Sequence, residues 1–384
     1  MWPIEKSPCH FRVVRRPRAV ITHGTAQELG AAPRIQAQGS PIARTAGQTT
    51  PLLQRMDSDG ICILLVGEFD DAPLADSAVS LGAMNRCLSM LLALSIGPMV
   101  FAQDATAKPD TAEPVAAELQ AKTGVVYKTV GDVELRLYLF FPKDHLATDT
   151  RPAAVFYFGG GWNSGSTEQF KPHARYLASR GMVTAVCDYR VKKRHGTNPF
   201  ACVADGKSAV RWLRSNAKRL GINPKCIAAG GGSAGGHIAA TTGVVPGLEE
   251  KGEDTTVSSK ANALLLFNPV FDNGPDGYGH NRVKERYREI SPLHNIAKGA
   301  PPTIVFLGTK DSLIPVATAE NYAAKMKAAD CRCDLHLYEG QSHGFFNLRN
   351  KKHYYLTVLE MDRFLISLGW LQGEPTIKQP TPSK

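Results

Sequence analysis

From Val125 onward the apolar positions fall into compact runs separated by longer stretches with helical spacing. The compact runs predict strands at Val125 to Thr129, Val133 to Phe141, Ala153 to Phe158, Met182 to Cys187, Cys226 to Ala229, Ala263 to Phe267, Thr303 to Gly308 and Asp334 to Tyr338. The stretches between them predict helices at Gln169 to Ser179, Ala204 to Leu220, Ser233 to Thr242, Ala317 to Ala328 and His353 to Ser367. Alternation of this kind builds a mostly parallel sheet with helices on both faces, because each parallel crossover needs a covering helix. Functional residues of such sheets gather beyond the carboxyl ends of the strands.

The pattern fails at both ends. Residues 1–83 show no sustained period, divide into a basic part up to Arg55 and an acidic part from Asp57 to Asp76, and read as disordered or as an over-extended reading frame. Residues 84–102 differ in character. Met84-Asn85-Arg86 precedes the apolar run Cys87 to Ile96, followed by Gly97-Pro98 and by Val100-Phe101-Ala102 before Gln103, which is the layout of a secretory signal peptide cleaved near Ala102. The apolar run stops after about ten residues where a membrane span needs roughly twenty. Export to the periplasm or outside the cell, with translation starting at Met84, is the expectation. A catalytic domain is then expected over 103–371, with a disordered, proline-bearing tail at 372–384.

Chemistry enters at the strand ends. The run Gly231-Gly232-Ser233-Ala234-Gly235 follows the apolar Cys226 to Ala229, and its G-x-S-x-G spacing suits a strand that turns sharply into a helix around an exposed serine. The helix N-terminus then points at Ser233, which makes the Ala234 N–H an anion-binding donor. Gly159-Gly160-Gly161-Trp162 follows an earlier strand and is a glycine loop able to turn free N–H groups toward a reacting carbonyl. Asp311 closes the run Thr303 to Gly308, and His343 stands in Ser342-His343-Gly344-Phe345 after the last strand. The order is Ser233, Asp311, His343.

Together these motifs resemble the α/β-hydrolase fold, and the segment from about Val125 to Trp370 resembles its bacterial carboxylesterases of the hormone-sensitive-lipase-like and acetyl-xylan-esterase-like groups. Further supports are Asp188-Tyr189-Arg190, Ala209 to Arg214 and Ser291-Pro292-Leu293. The chain departs from the pattern at Phe158, where a histidine usually opens the glycine loop, and at Gly232, where many relatives carry an acid. The resemblance implies a serine esterase with Ser233 as nucleophile, His343 as base, Asp311 as its orienting acid, and an oxyanion hole of Gly160, Gly161 and Ala234. The substrate would be a short-chain ester, of a small molecule or of acetyl groups on a polysaccharide. A serine peptidase or acyltransferase on the same fold, and a non-catalytic binding protein, are the alternatives.

Remaining residues refine this reading. Trp162 either walls the substrate pocket or packs in the core. His237, one turn after Ser233, reads as a packing or capping residue, His173 and His195 as surface residues near the cleft rim, and Asp205 as a helix-start or salt-bridge residue. A formal net charge of +10 is spread along the chain without aromatic interleaving or a helix-turn-helix pattern, so nucleic acid is not the expected partner. Cys187 and Cys226 sit at core positions, and the Cys331-Arg332-Cys333 spacing is too short for the usual zinc pairs, so neither metal nor cofactor is implied. The sequence sets no oligomeric state.

Overall fold

The computed structural model describes residues 117–120 and 122–380, so the expectations for 1–83 and for the signal segment 84–102 lie outside the described residues. Eight strands run β1 (Val125–Val130), β2 (Val133–Phe140), β3 (Arg151–Tyr157), β4 (Val183–Cys187), β5 (Ile222–Gly232), β6 (Ala263–Phe267), β7 (Thr303–Gly308) and β8 (Cys333–Tyr338). They form one sheet in the order β1-β2-β4-β3-β5-β6-β7-β8. β2 pairs antiparallel with β1 and β4, and every pair from β4 to β8 is parallel.

The helices are α1 (Lys171–Ser179), α2 (Lys192–His195), α3 (Pro199–Ser215), α4 (Ala234–Val244), α5 (His280–Val283), α6 (Val316–Ala328) and α7 (Lys351–Ser367). Strand alternation decides what they cover. In β3, Ala153, Val155 and Tyr157 join the apolar layer shared with α3, α4 and α6, whereas Ala154 and Phe156 join the layer beneath α1 and α7. Buried on both faces, the central strands read as continuous apolar runs.

Three expectations shift. Helix α3 begins at Pro199, five residues before the expected Ala204, because the Asn198 side chain accepts from the N–H groups of Phe200 and Ala201 and Pro199 fits the first turn. Asp205 therefore lies inside the helix. Strand β5 continues through Gly230 to Gly232, which pair with β3 and β6. The tail at 372–380 has no regular element, yet Arg180 donates to the carbonyls of Gln372 and Gly373, and Ile377 packs on the apolar layer of α1 and α7. Cys187 and Cys226 are buried as expected, and no disulfide joins the five described cysteines to one another. Among the described residues no helix is long and apolar enough to cross a membrane.

Candidate active site

Ser233 is the single residue between β5 and α4, with φ 55° and ψ −120°. A non-glycine residue is held there only at a cost, and the surroundings explain how. The Ser233 N–H donates to the Phe267 carbonyl at 3.0 Å, and its own carbonyl accepts from His237 and Val270. The strand and helix that meet at the turn approach so closely that a Cβ on Gly231 would lie 2.5 Å from the Gly235 carbonyl oxygen, and one on Gly235 2.1 Å from that of Tyr157. The sequence places glycine at both positions for that reason.

The loop after β3 supplies donors. Gly160 (φ 122°), Gly161 (φ 61°) and Trp162 (φ 55°) all have positive φ, and a Cβ on Gly160 would meet the Ser164 carbonyl oxygen at 2.2 Å. The N–H groups of Gly160, Gly161 and Ala234 make no hydrogen bond among the described residues. The loop is held from below. Phe158, in the place of the usual histidine, stacks on Tyr189 with ring centroids 4.2 Å apart, and the Tyr189 hydroxyl donates to the Phe158 carbonyl at 2.6 Å.

Asp311 and His343 come together after β7 and β8. His343 Nδ1 lies 2.7 Å from Asp311 Oδ2, and the other carboxylate oxygen accepts from the N–H groups of Leu313 and Ile314 at 2.9 Å each. The Asp311 side chain is fully buried, whereas that of His343 stays about a fifth exposed. Ser233, Gly160, Gly161 and His343 all line one cavity of about 440 Å³. No hydrogen bond joins Ser233 to His343; His343 Nε2 lies 3.5 Å from Asn268 Nδ2.

Two residues escaped the sequence reading. Asn268, buried with φ 35° just after β6, accepts from the Gly344 N–H at 2.9 Å and so fixes the turn that carries His343. Gln169 accepts from the Gly159 N–H at 2.7 Å and donates to Asn347 at 3.0 Å, tying the glycine loop to the histidine loop. An asparagine closing a buried apolar strand was the available signal for the first. None marked the second, whose partners lie far off in sequence.

Other expectations need correction. Trp162 does not wall the cavity: it is 2% exposed, stands edge-on to His237 with centroids 5.0 Å apart, and lies under Gly279, where a Cβ would come 2.7 Å from its ring. Its left-handed backbone turns the indole inward, so it supports the loop carrying Tyr278 and Arg282. His173 is not at the surface. It is enclosed by Phe156, Phe170, Phe267, Phe346 and Tyr354 with neither ring nitrogen hydrogen-bonded, and burial pushes it down to about 3. His237 packs as expected. Its Nε2 lies 3.0 Å from both Asn273 Oδ1 and the Ile290 carbonyl, and burial lowers it to about 4. His195 is partly buried, with Nδ1 accepting from the Val191 N–H, away from the cavity. Asp205 is the salt-bridge residue, buried between Lys128 and Arg190 at 2.7 Å from each.

A second cavity of about 500 Å³ is lined by Lys207, Arg211 and Glu249. Its cations are already bound to the Val245, Val257 and Gly299 carbonyls and to Glu249, and the one hydroxyl beside a carboxylate, Ser259 donating to Glu249 at 3.0 Å, faces a carboxylate tied up by Lys207 and Arg211.

The parallel sheet, the strained serine turn and the donor loop define an α/β hydrolase. A family described as BD-FAE matches residues 137–273, and the prolyl oligopeptidase family matches residues 255–363. The solved apo form of Thermogutta terrifontis esterase 2 is similar at 46% identity and a TM-score of 0.63, covering 65% of this chain and 96% of that one. Esterase LipC of Mycobacterium tuberculosis is 27% identical over 62% of this chain, and the acetylxylan esterase of Xylanibacter ruminicola 25% identical over 69% of it. The chain spans 64% and 54% of the lengths of those two relatives. On this likeness and this fold, the chain belongs to the α/β-hydrolase carboxylesterases.

Proposed function

We propose that this protein is a serine carboxylic-ester hydrolase acting on short-chain acyl esters, including acetyl groups on polysaccharides, through an acyl-enzyme at Ser233. The observation that carries the reading is one cavity that joins a serine on a strained turn, a histidine bound to a buried carboxylate, and the glycine loop with the unengaged N–H groups of Gly160 and Gly161. Ser233 Oγ attacks the ester carbonyl carbon while His343 Nε2 takes its proton, and Asp311 holds Nδ1–H and stabilises the imidazolium. The carbonyl oxygen becomes an oxyanion facing the N–H groups of Gly160, Gly161 and Ala234, each donor contributing about 3 kcal/mol. The C–O bond breaks and His343 gives its proton to the departing alcohol; water, deprotonated by the same base, then attacks the acyl carbon, and the acid leaves as the proton returns to Ser233 Oγ. Substrate binding draws Ser233 and His343 into contact, as catalytic hydrogen bonds commonly tighten on complex formation.

Likeness to esterases supports this chemistry. Thermogutta terrifontis esterase 2 has been solved phosphorylated by paraoxon and with propionate and with butyrate bound. The test is hydrolysis of a chromogenic ester series from acetate to octanoate, with acetylated xylan beside it, by the parent protein and by Ser233→Ala. The reading requires highest turnover on the short esters and a loss of about 10⁴ to 10⁶ in the variant. More than a tenth of the parent activity in well-folded Ser233→Ala would overturn it. Because the prolyl oligopeptidase family also matches, a peptide amide belongs in the same assay; preferential amide cleavage would move the assignment to a peptidase.

We further propose that the protein is exported and that the mature chain begins at Gln103, a reading supported by the segment Met84 to Ala102. N-terminal sequencing of the natural protein decides this, since residues retained ahead of Met84 would contradict it.

A further inference from the structure

Two cations line the cavity that the esterase mechanism does not use, Arg282 and Arg349. Many guanidinium groups of the domain are matched by carboxylates, as Arg180 is by Asp362, Arg190 by Asp205, Arg194 by Asp188 and Arg211 by Glu249, and Arg214 is bound to main-chain carbonyls and Asn262 instead. Neither cavity arginine has a carboxylate partner among the described residues. Arg349 makes no hydrogen bond there and follows the His343 loop by six positions. The Arg282 guanidinium donates only to the Gly161 carbonyl, and it lies over the rings of Trp162 and Tyr278, 5.6 and 5.9 Å from their centroids. The two rings steady the guanidinium, which is bonded to Gly161, a residue whose N–H belongs to the proposed oxyanion hole.

Besides Ser233 and His343, the remaining polar walls are the Tyr278 phenol and the neutral amides Asn163, Gln169, Asn268 and Asn347, and no carboxylate lines the cavity. Asp311 is buried behind His343. A neutral ester leaves both cations without a counter-charge, whereas a substrate bearing a carboxylate a few bonds from the ester carbonyl supplies one in the fork geometry that a guanidinium matches. We propose that the site is selective for anionic short-chain esters, with Arg282 and Arg349 as the residues that recognise the charge. The proposal rests on the ester-hydrolase reading.

The experiment measures kcat/KM by pH-stat for monomethyl succinate, which carries the carboxylate, and for methyl pentanoate, neutral and of near-equal length, each divided by its rate of alkaline hydrolysis. The expected ratio of anionic to neutral ester is about ten at low ionic strength, the lower end for a charge-assisted hydrogen bond in a partly open site, and it shrinks in 0.5 M salt, roughly where the screening length drops to a few ångströms. Arg349→Gln lowers the ratio severalfold, and Arg282→Gln with Arg349→Gln brings it near one. Arg349→Gln carries the test by itself if loss of Arg282 disturbs the Gly161 loop. Arg363→Gln, which removes the same charge from α7, keeps the parent ratio and so separates local recognition from the overall positive charge. A parent ratio at or below one, or a ratio equally high in the double variant, overturns the inference. Hydrolysis of the pentanoate without the preference overturns this inference alone, and failure to hydrolyse either ester overturns the hydrolase reading beneath it.

Discussion

Replacing Ser233 by glycine is expected to make the protein more stable than replacing it by alanine, although both changes remove the nucleophile. With φ 55° and ψ −120°, Ser233 occupies a region that any Cβ makes costly. The Ser233 hydroxyl has no hydrogen-bond partner among the described residues, so alanine removes one oxygen and keeps the strain. Glycine releases it. A strained non-glycine residue of this kind costs about 1–3 kcal/mol, and the extra freedom of glycine in the unfolded chain takes back about 0.4–1 kcal/mol. The net gain is about 0.5–2 kcal/mol, which for a domain of this size raises Tm by about 1–4 °C. Urea unfolding followed by fluorescence, with calorimetric Tm on the same samples, reads the difference. Equal or lower stability of Ser233→Gly would refute the claim that the turn stores strain at the nucleophile.

Asp311→Asn should leave the fold intact and lower turnover by about 10⁴, because the amide favours the wrong tautomer of His343; near-parent kinetics on a short ester would show that another group orients the imidazole. Gly235→Ala puts a Cβ against the Tyr157 and Phe158 carbonyls, so α4 must shift off the sheet; the overpacking should destabilise by about 1–3 kcal/mol in urea titrations, where an ordinary helix would gain up to about 1 kcal/mol from alanine. Acid should destabilise the domain through its buried histidines. His173 and His237 are held neutral down to about 3 and about 4, while in the unfolded chain they protonate near 6.5. The unfolded state then binds more protons below about pH 6.5, so this stability is complete above that pH and is lost as pH falls toward 4, by about 1.4 kcal/mol per pH unit for each histidine. His173→Leu should remove one such increment from the slope between pH 6 and 4.5, and an unchanged slope would contradict its burial among the aromatic rings.

The sheet was most legible where both faces are buried. Ala263 to Phe267 and Thr303 to Gly308 have the expected limits because an uninterrupted apolar run bounded by polar residues has one good solution, a central parallel strand. Boundaries went astray where backbone chemistry outweighed side-chain pattern. Gly230 to Gly232 read as a turn, but glycine N–H and C=O groups pair in a ladder as well as any others, and β3 and β6 supply partners on both sides. At α3 the cap Asn198-Pro199 was the true start signal, masked by the polar stretch before Phe200.

Site residues split in the same way. Ser233, Asp311 and His343 could be named because each sits in a local motif at a strand end. The supports Gln169 and Asn268 could not, since their roles exist only through partners 178 and 76 positions away. Trp162 and His173 looked peripheral in sequence, yet one positive φ and one aromatic enclosure send both side chains inward. The absence of acidic partners for Arg282 and Arg349 is likewise a property of the folded cavity.

The most direct test of the central claim is a covalent one. Brief treatment of the protein with paraoxon, followed by tryptic digestion and mass spectrometry, should place a single diethylphosphoryl group on Ser233 in the peptide Cys226 to Lys251, with loss of esterase activity in step with labelling and no adduct in Ser233→Ala. An unmodified Ser233 in inactivated protein, or the group on any other residue, would contradict the account.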